Sequence, residues 1–243
     1  MEKVFLEGTI ELFLSLLLTG LLVFRWGKTI RKNRTKWFAG AWIISLVSTV
    51  VAAMVFLRVI DVSFSAWWVR MIRSIISGYL PASMFIYVMF AGALPAGHKL
   101  RGPLMAIRTD LSILGTIFYL PHTLLYVALS APYGITALIE GNIRLTQQLM
   151  TWTGLVNTVL LIVLGITSSI RVRKKMKRAT WKKLHKWSYL FYFMCFVHYV
   201  TLSLHDPRLE RTLVYLMIYG TYFVMKMKRV KEAKQVPQRA IPV

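Results

Sequence analysis

Trp37-Phe-Ala-Gly-Ala-Trp-Ile-Ile-Ser-Leu-Val-Ser-Thr-Val-Val-Ala-Ala-Met-Val-Phe-Leu57 runs for 21 residues without a charged side chain. At a rise of about 1.5 Å per residue, a helix of that length covers about 32 Å, enough to cross the hydrocarbon core of a bilayer. Six further stretches read the same way, at residues 4–24, 75–94, 104–129, 149–170, 187–204 and 213–224, the last of them short. They predict an all-α, polytopic membrane helix bundle of about seven transmembrane helices. The first stretch is read as a retained helix. Glu2, Glu7 and Glu11 do not suit the basic start of a signal peptide, and no small-residue cleavage pattern follows.

Composition supports the bilayer. Of 243 residues, 56% are hydrophobic and only 16% charged, and the mean hydropathy is positive, outside the range of soluble domains. Cys195 is the one cysteine and sits in an apolar run, which excludes a disulfide framework or a thiolate metal site. In a soluble protein a net charge of +22 would point to nucleic acid. Here the charges lie between apolar runs, so nucleic acid is not an expected partner and the lipid bilayer is.

The same charges set an orientation. Basic residues cluster at 25–36, 99–108, 171–186 and 226–239, and these clusters hold 24 of the 31 Lys and Arg. If the spans alternate, all four clusters fall on one side, and cytoplasmic loops are the ones enriched in Lys and Arg. The expected arrangement is an integral protein of a bacterial inner membrane, with its N-terminus outside and its C-terminus in the cytoplasm.

Five histidines are present. An ionisable group at bilayer depth is costly enough to mark a functional site, and two of the five fall there. His122 lies 14 residues beyond Arg108 on the fourth span, and His198 lies 13 residues beyond His185 on the sixth. At helical rise those separations are about 21 and about 20 Å. Both spans run outward, so the two imidazoles are expected at matching depth. Two neutral imidazoles at one level can occupy both axial positions of a haem iron. Ser112, Gly115 and Thr116 are small enough to admit a ring or a neighbouring helix, and Pro121 is expected to bend the helix beside His122. His185 is expected near the basic membrane face, with His98 and His205 in loops. Arg70 and Arg73, near the outer start of the third span, suit either propionate pairing or contact with headgroups. Asp110 is expected to serve its helix end or to pair with Arg108.

The run from Arg108 to His122, Arg-Thr-Asp-Leu-Ser-Ile-Leu-Gly-Thr-Ile-Phe-Tyr-Leu-Pro-His, resembles the first haem-ligand helix of the ferric reductase-like transmembrane domain. Ile166-Thr-Ser-Ser, a basic loop, Trp181-Lys-Lys-Leu-His185, Tyr189 and His198-Tyr199 resemble its second. That family includes eukaryotic NADPH oxidases, ferric reductases and the haem membrane subunit of the bacterial methionine sulfoxide reductase system. The resemblance implies a six-helix haem-binding core at residues 37–227, an additional helix and basic loop at 1–36, and a basic tail at 228–243. It implies haem b, with His122, His198 and His185 as candidate iron ligands; Arg108, by its guanidinium, and Arg70 and Arg73, by their position, are candidate cofactor contacts. Ser112 replaces a glycine usual in the bacterial branch. Where relatives carry two haems, a further histidine stands at the place of Arg108.

No dinucleotide-binding glycine motif, P-loop, zinc-protease motif or nucleophile elbow is present. The chain is therefore expected to lack its own flavin and nicotinamide domain. Its electrons are expected from a cytoplasmic flavoprotein, from FMN or FAD bound or supplied by a partner, or from quinol. They would pass to an extracytoplasmic acceptor or partner subunit. The competing expectation is a non-redox channel, transporter or assembly factor whose histidines line a polar path or join helices.

Overall fold

The computed structural model describes residues 2–63, 66–95, 97–139, 145–205 and 209–235, and every regular element among them is helical. In chain order the helices are α1 (Glu2–Lys32), α2 (Arg34–Phe56), α3 (Trp67–Ile76), α4 (Tyr79–Ala93), α5 (Arg101–Ile139), α6 (Leu145–Ser168), α7 (Ile170–Lys175), α8 (Arg178–His185), α9 (Trp187–His205) and α10 (Leu209–Gln235).

The all-α membrane class is borne out. Among the described residues, five helical segments are long and apolar enough to cross a bilayer, and the α3–α4 pair, bent by 59°, makes a sixth if it counts as one span. The seventh expected span falls in α10, which is not among them. Its apolar part is followed at once by Lys226, Lys228, Arg229 and Lys231. The expected third span, at 75–94, is likewise divided. Gly78 adopts φ +81° at the junction of α3 and α4, a conformation glycine takes without steric cost.

On α2, burial is inverted relative to a helix of a soluble protein. Helix α2 turns Trp42, Ile43, Leu46, Val47 and Val50 outward and buries Ala41, Ser45 and Ser48. With lipid as the solvent, small and polar residues belong at helix contacts and large apolar ones face outward. Helix α1 follows the same rule. Glu11, Ser15 and Thr19 recur every fourth residue on its buried face. The Glu11 carboxylate meets Arg73 Nε at 3.5 Å, Ser15 bonds to Ser74 at 2.7 Å and Thr19 to Ser83 at 2.6 Å. A Cβ on Gly20 would stand 2.7 Å from the Tyr87 hydroxyl, so this glycine lets α1 and α4 touch.

Helix α5 runs through the core, with Leu104, Ile107, Leu111, Leu114 and Ile117 buried. Pro121 does not break it. Proline removes one donor and leaves the Ile117 carbonyl without its helical partner. The Ser45 hydroxyl of α2 donates to that carbonyl at 3.1 Å, and in lipid such a replacement is required because no water is there to serve.

Candidate functional site

His122 on α5 and His198 on α9 line one cavity of about 330 Å³, together with Arg73, Ser77, Tyr79 and Gly154. The two histidines separated by 76 positions in sequence are thus brought to one space. His122 Nδ1 lies 2.7 Å from the carbonyl of Ile76. His198 Nδ1 lies 3.1 Å from the carbonyl of Met150 and 3.0 Å from the Thr153 hydroxyl. A carbonyl only accepts, so each Nδ1 carries the proton and donates it. That fixes the tautomer, and Nε2 of each ring is left with its lone pair.

Local structure explains both bonds. Ile76 is the last residue of α3, where helical carbonyls run out of intrahelical donors. The bend at Ser77 and Gly78 turns the chain away and presents that carbonyl to the ring. Any Cβ on Gly78 would meet His122 Nδ1 at 3.4 Å, and one on Gly154 would meet His198 Cε1 at 3.5 Å. Each imidazole is therefore backed by a glycine. Tyr119 and Tyr126 flank the His122 ring, at centroid distances of 5.1 Å and 4.6 Å.

A second cavity, of about 300 Å³, lies toward the basic end of the bundle, lined by Arg108, Ser112, Thr116, Lys182, His185 and Lys186 among others and, among the described residues, by no acidic one. Arg108 also lines an adjoining space of about 340 Å³ with Lys226 and Arg229 of α10. The two main cavities approach one another through an aromatic wall. Tyr119 borders the histidine-pair cavity and Phe85 the basic one, and their rings stand edge to face at 6.3 Å.

His185 and Arg108 thus meet at one level, as their places in the sequence require. His185 ends α8, and the single residue Lys186, with φ −66° and ψ −24°, separates it from α9. A straight helix sets His185 about 140° around from His198, and the two line different cavities. The Trp181 ring packs on His185 at 4.2 Å, and its indole N–H donates to the Thr167 carbonyl at 3.0 Å. His185 Nε2 lies 3.2 Å from the Thr167 hydroxyl, whose own proton goes to Val163 O at 2.7 Å. His185 therefore donates from Nε2, the opposite tautomer to the other two. Trp181 and His185, four residues apart, share one helix face and both close on Thr167.

The remaining candidates separate. Arg73 lines the histidine-pair cavity, whereas Arg70 is exposed and does not. His98 lies in the loop before α5, where its ring accepts from the Leu100 amide at 3.2 Å. His205 closes α9, and its side chain lies outside the described residues. Asp110 pairs with Arg34 Nε at 2.7 Å, not with Arg108, which is a correction. Residues two apart on a helix point to nearly opposite sides, so Asp110 faces α2 while Arg108 faces the basic cavity. Gly115 serves helix approach and lines neither cavity, a Cβ there meeting Phe85 and Met84 at 3.2 and 3.3 Å.

Thr153, Gly154, Gly78 and the Ile76 carbonyl were not singled out from sequence. A glycine three residues before a proline is a visible break signal, but nothing in it names His122 as the beneficiary. Thr153 carries no signal at all. Among the described residues, no group of three or more His, Cys, Asp or Glu could hold a bare metal ion.

Together these features define a membrane helix bundle with two inward-facing imidazoles of fixed tautomer. Residues 77–196 match the family described as ferric reductase like transmembrane component. That segment, 120 of the 243 residues, is similar to the ferric reductase-like transmembrane family, and a membrane electron-transfer role is what the match suggests. The matched segment contains His122 and His185 and stops two residues before His198. A protein of Treponema pallidum (strain Nichols), named only as uncharacterized, is 25% identical over 170 residues, 65% of this chain and 45% of its own length. The chain thus spans less than half of that relative. No solved structure matches the chain.

Proposed function

We propose that this protein is a haem b transmembrane electron conduit of a bacterial inner membrane, with its N-terminus outside. Electrons enter from a cytoplasmic flavoprotein, reduced flavin or quinol and leave to an extracytoplasmic acceptor. One observation carries the reading: two imidazoles on different helices share a cavity, and each spends Nδ1 on a backbone carbonyl, so that Nε2 remains to bind iron.

The surrounding residues suit the group. The glycines behind each ring leave room that a Cβ would narrow. The Thr123 hydroxyl borders the cavity and has no partner among the described residues, and Arg73, whose Nε meets Glu11, lines the same space. When bound, haem b supplies a one-electron iron couple whose potential follows the axial ligands and their hydrogen bonds. The protein's part is to hold both imidazoles in one tautomer and to exclude water from them. His185 is the remaining candidate ligand, for a group held in another way, since the facing position is Arg108.

The visible spectrum of protein purified from haem-replete cells is the direct test. The expected result is a Soret band with a sharp reduced α band. A colourless protein that is folded and membrane-inserted would overturn the proposal and return the histidines to a channel, transporter or assembly role.

The basic end, with α7 and α8 carrying Arg171, Arg173, Lys174, Lys175, Arg178, Lys182 and Lys183, is suited to steering an acidic donor. Exposed charges further apart than about 8 Å are screened at physiological ionic strength. Reduction by an acidic flavoprotein should therefore slow steeply as salt rises in stopped-flow measurements. A rate indifferent to salt, matched by quinol analogues, would place the donor in the lipid instead.

A further inference from the structure

Helices α1 to α5 enclose an apolar groove of about 400 Å³ that neither histidine borders. Its walls include Leu22, Ile75, Met84 and Phe118, and it extends along α2 from Lys36 and Trp37 to Ile44, about 12 Å at helical rise. At Gly40, in the middle of that wall, a Cβ would meet nothing within 4 Å. Most helix-facing glycines in this chain admit a neighbouring side chain; this one borders open space.

Charge is confined to one end. Among the described residues, Lys36 is the only charged one lining the groove, and it is exposed. Its neighbour Arg34 is committed to Asp110. Trp37 stands beside Lys36, and a Trp–Lys pair at the end of a span is the composition of the headgroup level. Basic positions between helices at that level attract anionic headgroups.

We propose that this groove holds one acyl chain of an anionic phospholipid, with the phosphate on Lys36 Nζ and the chain lying over Gly40 toward Ile75 and Phe118. Charge complementarity and the apolar walls select this occupant together. A quinone ring would need polar partners for both its oxygens, and beyond Lys36 and Trp37 the lining offers none. The phosphate needs one cation at the rim, and the chain needs only methylene contacts below. The proposal does not depend on haem.

The experiment is native mass spectrometry of the full chain released from nanodiscs containing equal phosphatidylglycerol and phosphatidylcholine. Wild type should retain one phospholipid per chain, enriched in phosphatidylglycerol. Gly40→Trp fills the open wall and should lose the retained lipid, with its visible spectrum unchanged because Gly40 lies outside the histidine cavity. Lys36→Gln, at an exposed position that folding does not need, should keep a lipid but lose about fivefold in preference for the anionic headgroup. Retention of a quinone, retention of no lipid by wild type, or equal phosphatidylglycerol enrichment in Lys36→Gln would each overturn the proposal.

Discussion

Alanine at either His122 or His198 will abolish the low-spin haem absorption of the purified protein, while the amount of chain inserted in the membrane stays at the wild-type level. The size of the expected loss follows from the two-ligand geometry. Neither imidazole has a second imidazole to replace it, because among the described residues the cavity is lined by no other histidine. The chain should survive the change, since the helices around the site are held by contacts elsewhere, among them the Phe85–Phe191 ring pair at 5.1 Å and the α1 hydroxyl ladder. His185→Ala supplies the contrast and should leave that absorption in place, because His185 lines a different cavity. A graded variant tests the support behind the ring. Gly78→Ala puts a methyl group 3.4 Å from His122 Nδ1 in a backbone conformation that L residues resist, and should keep the haem while shifting its electron paramagnetic resonance g values. Full haem in both histidine variants would refute the pairing.

The features legible in the sequence were those set by solvent and by periodicity. Trp37 to Leu57 could be read as a span because lipid imposes one requirement on every residue in it. The common cavity of His122 and His198 followed from counting residues along two helices that run the same way, since helical rise converts sequence separation to depth. What was hidden depends on contacts between distant segments. The Ile76 carbonyl accepts from His122 only because α3 ends there and the chain bends by 59°. Ser45 satisfies the carbonyl that Pro121 abandons, although nothing near Ser45 announces it. Local sequence at Pro121 shows the lost donor and not the replacement. Asp110 was read against its nearest basic neighbour in sequence, whereas the helix turns the two apart and Arg34 of α2 answers it. The bounds of the third and seventh spans depended on charge and glycine placement at their ends, where periodicity carries least information.

The second large effect concerns haem number. This protein is expected to hold one bis-histidine haem per chain. An inner haem of the same kind needs a nitrogen ligand from α5 facing His185 across the basic cavity, and of the α5 residues that line it, Arg108, Thr109, Ser112 and Thr116, Arg108 alone has side-chain nitrogen. A guanidinium stays protonated and carries only donors, so it has no lone pair to give iron. His185 is also turned the other way: its Nε2 proton goes to the Thr167 hydroxyl, whereas His122 and His198 donate from Nδ1. Freeing Nε2 would cost that bond. What Arg108, Lys182 and Lys186 can do is hold anionic oxygen, such as a carboxylate or a phosphate. Pyridine haemochrome content measured against quantitative amino-acid analysis should give one haem per polypeptide, and the oxidised protein at low temperature should show a single bis-histidine low-spin species. Two haems per chain with two such signals would show that the basic cavity finds a second imidazole despite Arg108, and would overturn the single-haem assignment.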